Sequence, residues 1–127
     1  PVPVDAALIA REKGAFTIGI TSLEYSGSQS SRHDSGLHLF DAVDLVLDNY
    51  SPVGDAVMRH PGVPVPFTPA STVIGAAMLN AIFARSIAIM AEREYEPPVF
   101  LSGNIDGADE RNRKLVERYG GRIDLLS

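Results

Sequence analysis

Between Pro69 and Ala84 the chain carries no charged residue. The stretch around it, TPASTVIGAAMLNAIFARSIAIMAERE from Thr68 to Glu94, reads as one long helix. Thr68 offers an N-cap oxygen, and Pro69 suits the first helical position, where its absent N–H costs nothing. Val73, Ile74, Met78, Leu79, Ile82 and Phe83, interleaved with alanines, leave almost no polar face. A helix apolar all round is expected to be buried on most sides. The uncharged run is shorter than the ~20 apolar residues of a membrane span, so no membrane partner is expected. Gly75 costs about 1 kcal/mol against alanine inside a helix, which predicts close approach of another element or another subunit. Thr68, Ser71 and Thr72 crowd the helix start, where free N–H groups and the helix dipole favour an anion.

The rest of the composition narrows the class. At 127 residues there is room for one domain, residues 1–127. A hydrophobic content of 45% with 21% charged residues describes a soluble globular chain. The net charge of −5, without a run of Lys or Arg, disfavours nucleic acid as a partner. There is no cysteine, which excludes disulfides and thiol catalysis, and a cytoplasmic location is expected.

In chain order, Pro3 to Lys13 predicts a helix stopped by Gly14. FTIGIT, Phe16 to Thr21, predicts a strand buried on both faces. Ser22 to Gly36 reads as a polar loop holding six serines, Arg32 and His33. Leu37 to Ala42 fits a helical turn, and Asp44 to Asp48 a second strand. Asn49 to Phe67 is a proline-rich connection of the length usually reserved for functional loops. After the long helix, Val99 to Leu101 predicts a third strand, and Asp106 a cap for a helix from Ala108 to Tyr119. Alternating strands and helices argue an α/β parallel sheet. Three strands are few for a sheet covered on both faces. The chain therefore reads as the C-terminal portion of a larger α/β domain whose first strands precede Pro1. Ligands of such sheets bind beyond the carboxyl ends of the strands, here Thr21-Ser22, Asp48-Asn49 and Ser102-Gly103.

Hydroxyls, backbone N–H groups and one guanidinium are what a phosphate needs, which singles out Ser31 and Arg32 in the serine-rich loop. His33 can move a proton near neutral pH, with Glu24 second as an acid–base candidate. His33-Asp34-Ser35 holds the residue types of a hydrolase triad, although a triad is a spatial arrangement. No histidine pair has metal-ligand spacing, so no metal site is expected. There is no Walker loop and no GxGxxG, so no cofactor is expected.

TSLEYS at 21–26, SSRHDSG at 30–36, DLVLDN at 44–49, the Gly54-Asp55 pair, TPASTVIGAAMLNAI at 68–82 and PPVFLSGNIDGADERNRKL at 97–115 occur in that order. Together they resemble the sugar isomerase (SIS) domain family, in its bacterial uncharacterised branch, some members of which are named as phosphoheptose isomerases. The resemblance covers nearly the whole chain. It implies a flavodoxin-like three-layer αβα sandwich around a parallel sheet. It also implies a phosphorylated sugar at the strand ends, and a homodimer or tetramer, here through the long helix 69–93. In this family a serine-rich loop ahead of the first helix holds the phosphate, and that position lies before Pro1. Carried over by motif, the resemblance adds Thr21 and Ser22, and Ser71 and Thr72, as substrate-binding hydroxyls. No catalytic residue carries over on the long helix, which has no acid before Glu92. The expected function is binding of a phosphorylated sugar with aldose–ketose isomerisation, the alternative a non-catalytic sensor.

Overall fold

The computed structural model describes residues 1–123. Its elements are α1 (Val2–Glu12), β1 (Ile18–Thr21), α2 (Leu23–Gly27), α3 (Leu39–Ala42), β2 (Leu45–Asp48), α4 (Ser71–Glu92) and α5 (Ala108–Tyr119), followed by a 3-10 turn at Gly120–Arg122. The chain divides into two compact units, Pro1–Ile82 and one beginning at Phe83, and α4 runs from one into the other.

The first unit is built on two parallel strands in register Ile18↔Leu45 to Thr21↔Asp48. A parallel pair needs a long crossover, and residues 22–44, with α2 and α3, supply it. Val4 and Ala7 of α1 pack on Ala42 of α3, and Leu8, Leu37, Leu39 and Val43 close around them. Gly19 is required by this packing. A Cβ there would lie 3.1 Å from both γ-carbons of Val43 and 3.3 Å from Leu39, closer than ordinary van der Waals contact.

A polar clasp fixes the start of both strands. Asp44 Oδ2 accepts from the Thr17 backbone N–H and from its hydroxyl, each at 2.8 Å. Arg11 Nε lies 3.3 Å from Asp44 Oδ1, and its Nη1 donates to the Ala42 carbonyl at 3.3 Å. The Thr17 donors hold the Asp44 carboxyl below its usual range, with Arg11 adding to the effect.

Several expectations are corrected. The strand predicted over Phe16 to Thr21 begins at Ile18 and is not buried on both faces, since Ile18 is 56% exposed and Phe16 lies outside it at 71%. Within Ser22 to Gly36 the chain folds a short helix, α2, because Ser22 caps it. Val99 to Leu101 forms no strand, and among the described residues the sheet has two strands. In the second unit the side chain of Asn112 on α5 takes the place of a neighbouring strand, accepting from Leu101 N at 2.9 Å and donating to Leu101 O at 2.8 Å. Gly107, with φ +82, caps α5 in place of Asp106; the left-handed backbone there suits glycine.

The long helix shows the largest difference. None of its residues is buried, and among the described residues nothing beyond the helix's own adjacent backbone would meet a Cβ on Gly75 within 4 Å. The apolar pattern predicts burial, but nothing among the described residues provides it. At 22 residues, with mean hydropathy 1.8 over its apolar window, α4 is long and apolar enough to cross a membrane by length and composition. Arg85 sits inside it and pairs with Glu92 at 2.8 Å.

Candidate functional site

β1 ends at Thr21, and Ser22 turns the chain at once into α2. The Ser22 hydroxyl, buried, accepts from Tyr25 N at 3.1 Å and donates to the Ser51 carbonyl at 2.7 Å. Asp48 at the end of β2 accepts from Leu23 N at 3.2 Å and Tyr50 N at 2.9 Å, and Asn49 N donates to Thr21 O at 3.0 Å. The carboxyl ends of both strands are thus joined by hydrogen bonds to the first turn of α2. The loop that follows is stitched in the same way. Ser31 Oγ donates to Leu37 O at 2.7 Å and accepts from His33 N at 3.1 Å. His38 Nε2 donates to Gln29 O at 2.9 Å, and its ring stacks on Phe40 at 5.0 Å.

These segments enclose a cavity of about 370 Å³. Its apolar walls come from Pro3 and Val4 of α1, Tyr25 of α2, Leu37 and Leu39, and its polar edge from Thr21, Ser22, Ser26, Ser30, Ser31, Arg32, His33 and His38. That size and mixture, mostly apolar with a few polar groups on one side, is usual for a small-molecule site. Arg32 is the only guanidinium or ammonium side chain on the walls, and it is exposed. Among the described residues no carboxylate pairs with it.

The sequence-derived residues fall into three groups. Thr21, Ser22, Ser31, Arg32 and His33 come together on the cavity. Within that group, Ser22 and Ser31 each spend their hydroxyl on a backbone carbonyl. Glu24 lies in the first turn of α2, exposed and off the cavity wall. Ser71 and Thr72 begin α4 and line a different place. There the Asp55 carboxylate accepts from Ala70 N at 3.1 Å, from Ser71 N at 2.8 Å and from the Ser71 hydroxyl. The Ser71 hydroxyl and N–H hold the Asp55 carboxyl below its usual range. The cap expected from Thr68 is therefore made by Asp55, and Thr68 takes φ +67 in the loop instead. Asp55 fills the role by the usual capping chemistry, but from a loop that Met58 and Phe67 pin back as an antiparallel bridge.

His33 has both ring nitrogens engaged. Nε2 lies 2.9 Å from Asp5 Oδ1 on α1, and Nδ1 lies 2.6 Å from Ser35 Oγ. Asp5 was not legible as a site residue, because its partner is 28 positions away. No group of His, Asp or Glu among the described residues has the clustering that holds a metal ion.

No family model matches the chain. Single sequences do. The chain is 64% identical over 126 residues to a UPF0309 protein of Geobacillus kaustophilus, covering 99% of this chain and 50% of that one. It is 62% identical over 126 residues to a UPF0309 protein of Geobacillus thermodenitrificans, covering 99% and 51%. It is 61% identical over 127 residues to a UPF0309 protein of Halalkalibacterium halodurans, covering 100% and 51%. The chain thus spans about half the length of the curated relatives it matches, and their names state no ligand and no reaction.

Proposed function

We propose that this chain is part of a sugar isomerase (SIS) domain, a three-layer αβα sandwich of which the parallel β1–β2 pair is a portion, and that it binds a phosphorylated sugar. The observation that carries the reading is the cavity at the carboxyl end of β1, with Arg32 on its edge and paired with no carboxylate among the described residues. A guanidinium offers a phosphate paired, charge-assisted hydrogen bonds. The Thr21, Ser26 and Ser30 side chains on the same edge suit sugar hydroxyls, and the apolar wall suits the face of a sugar ring. The length of the relatives fits a larger domain that completes the sheet.

In this reading the reaction is aldose–ketose isomerisation, with His33 as the group that moves a proton between neighbouring carbons. A second reading, a non-catalytic sugar-phosphate sensor, is favoured by one observation: both nitrogens of His33 are already engaged, and Glu24 stands away from the cavity. The uncovered apolar length of α4 fits a homodimer or tetramer through residues 69–93. Arg85 within it argues against lipid as the covering phase, since a charge inside a span is costly. A cytoplasmic protein of sugar metabolism is the setting this implies.

Calorimetric titration with a panel of aldose and ketose phosphates, each beside its unphosphorylated sugar, tests the proposal. Binding is expected only for the phosphorylated member of a pair. Equal binding of both, or of neither, overturns it. Solvent-proton exchange at C2 of the bound sugar then separates the readings, because a sensor shows none.

A further inference from the structure

Asp5, His33 and Ser35 stand in an unbroken hydrogen-bonded row, and the Ser35 backbone N–H directed at the ring favours one proton arrangement in it. Asp5 as a carboxylate can only accept. The proton between Asp5 Oδ1 and His33 Nε2, 2.9 Å apart, therefore sits on Nε2. Nδ1 is left with its lone pair, and both neighbours there are donors. The Ser35 hydroxyl lies at 2.6 Å, and the Ser35 backbone N–H donates at 3.2 Å. Ser35 Oγ also accepts from Leu37 N at 3.3 Å, and with Nδ1 as an acceptor the Ser35 hydroxyl is its donor. The imidazole is largely enclosed, with its side chain 13% exposed, whereas Asp5 is 57% exposed. Asp34, the carboxylate next to His33 in sequence, takes no part in the row.

We infer that Asp5 is a positioning residue: it holds His33, a residue of the cavity wall, as the Nε2–H tautomer and leaves the lone pair on Nδ1, where Ser35, itself off the cavity wall, covers it. The logic is that of any base oriented by a carboxylate on its far nitrogen. In a proton transfer, Nδ1, once Ser35 turns away from it, takes the proton from the carbon beside the sugar carbonyl and delivers it to the former carbonyl carbon, while the hydroxyl proton on the first carbon passes to the former carbonyl oxygen through solvent water. The imidazolium formed between the two steps faces the Asp5 carboxylate. Both transfers are internal to the sugar, so no proton is gained or lost overall and solvent water is the one carrier needed. The catalytic part of this inference rests on the isomerase reading given above; the tautomer part does not.

The test is nitrogen-15 NMR of the histidine rings in this chain at neutral pH, with His33 assigned by its loss in His33→Gln. Wild type is expected to show the Nε2–H pattern alone. Asp5→Ala is expected to give a mixture of tautomers, and Ser35→Ala to keep the wild-type pattern. A wild-type mixture or an Nδ1–H pattern overturns the inference. So does an Asp5→Ala spectrum that matches wild type while Ser35→Ala changes. Spectra of the remaining residues report whether each variant is folded, and the wild-type spectrum decides the tautomer even where a variant is not. If sugar phosphates turn over, Asp5→Ala is expected to lower kcat about tenfold or more with little change in KM, within the range of acid–base contributions. An unchanged kcat overturns the positioning role. Absence of any turnover counts against the isomerase reading and leaves the tautomer result to stand by itself.

Discussion

Two places in the first unit carry hydroxyl groups in a setting suited to an anion, and they differ in what the chain itself puts there. At the carboxyl end of β1, Thr21, Ser26, Ser30 and Arg32 edge a cavity, and among the described residues no carboxylate pairs with the guanidinium. At the start of α4, Ser71 and the N–H groups of Ala70 and Ser71 already face a carboxylate, that of Asp55. Helix starts attract anions through free N–H groups and the dipole, but an internal carboxylate meets that demand just as a ligand would. A phosphate arriving at Ser71 would have to displace Asp55 or sit beside its charge. The donors at the start of α4 are thus engaged within the chain, whereas the guanidinium at the end of β1 is paired with no carboxylate among the described residues.

The largest expected effect that sharpens this contrast is on binding. Arg32→Ala removes a charge-assisted contact worth about 1.5–3 kcal/mol, so sugar-phosphate affinity should fall roughly ten- to a hundredfold. Titration calorimetry checks it, and an unchanged affinity would remove the cavity from consideration. Next comes Asp55→Ala, which should lower the melting temperature by uncapping α4 while leaving the cavity intact. Tighter phosphate binding at Ser71 in that variant would mean that Asp55 had been masking a genuine anion site.

The pH dependence follows from the same pair. The folded-state carboxyl of Asp55 lies below its unfolded value because the Ser71 hydroxyl and N–H favour the charged form. Its contribution to stability is therefore complete above the ordinary carboxylate range, and it is lost as pH falls through the depressed folded value. Asp44 behaves in the same direction through Thr17 and Arg11. Thermal melts of Asp55→Asn and Asp44→Asn across the acid range should each show a shallower loss of stability than wild type. Identical slopes in all three proteins would contradict the assigned roles. The smallest effect is expected for Ser71→Ala: a slight loss of stability and no change in sugar-phosphate affinity.

How far the sequence reveals these differences depends on the range of the interaction. The helices at 2–12, 71–92 and 108–119 and the two strands follow from local pattern and appear within a few residues of their expected bounds. The five-residue α2 was hidden by its serine-rich composition, although Ser22 three positions before Tyr25 is a cap signal. The third strand failed because a strand is defined by its neighbour, and Leu101 finds Asn112 instead. Burial of α4 failed for a related reason. Pattern reports that a surface wants cover, not whether this chain supplies it. Arg32 and His33, singled out by residue type and loop setting, do line one cavity. Asp55 and Asp5 were not legible, because each acts on a group 16 or 28 positions away and no local spacing links them.

The claim that the cavity at the end of β1, and not the start of α4, receives the phosphorylated sugar is tested most directly by amide chemical-shift mapping. A labelled sample of this chain would be titrated with a sugar phosphate and, separately, with the unphosphorylated sugar. The phosphorylated ligand alone is expected to move the signals of Thr21, Ser26, Ser30 and Arg32 and to leave Ser71 and Thr72 in place. Shifts centred on Ala70, Ser71 and Thr72, or the same shifts with the unphosphorylated sugar, would contradict it.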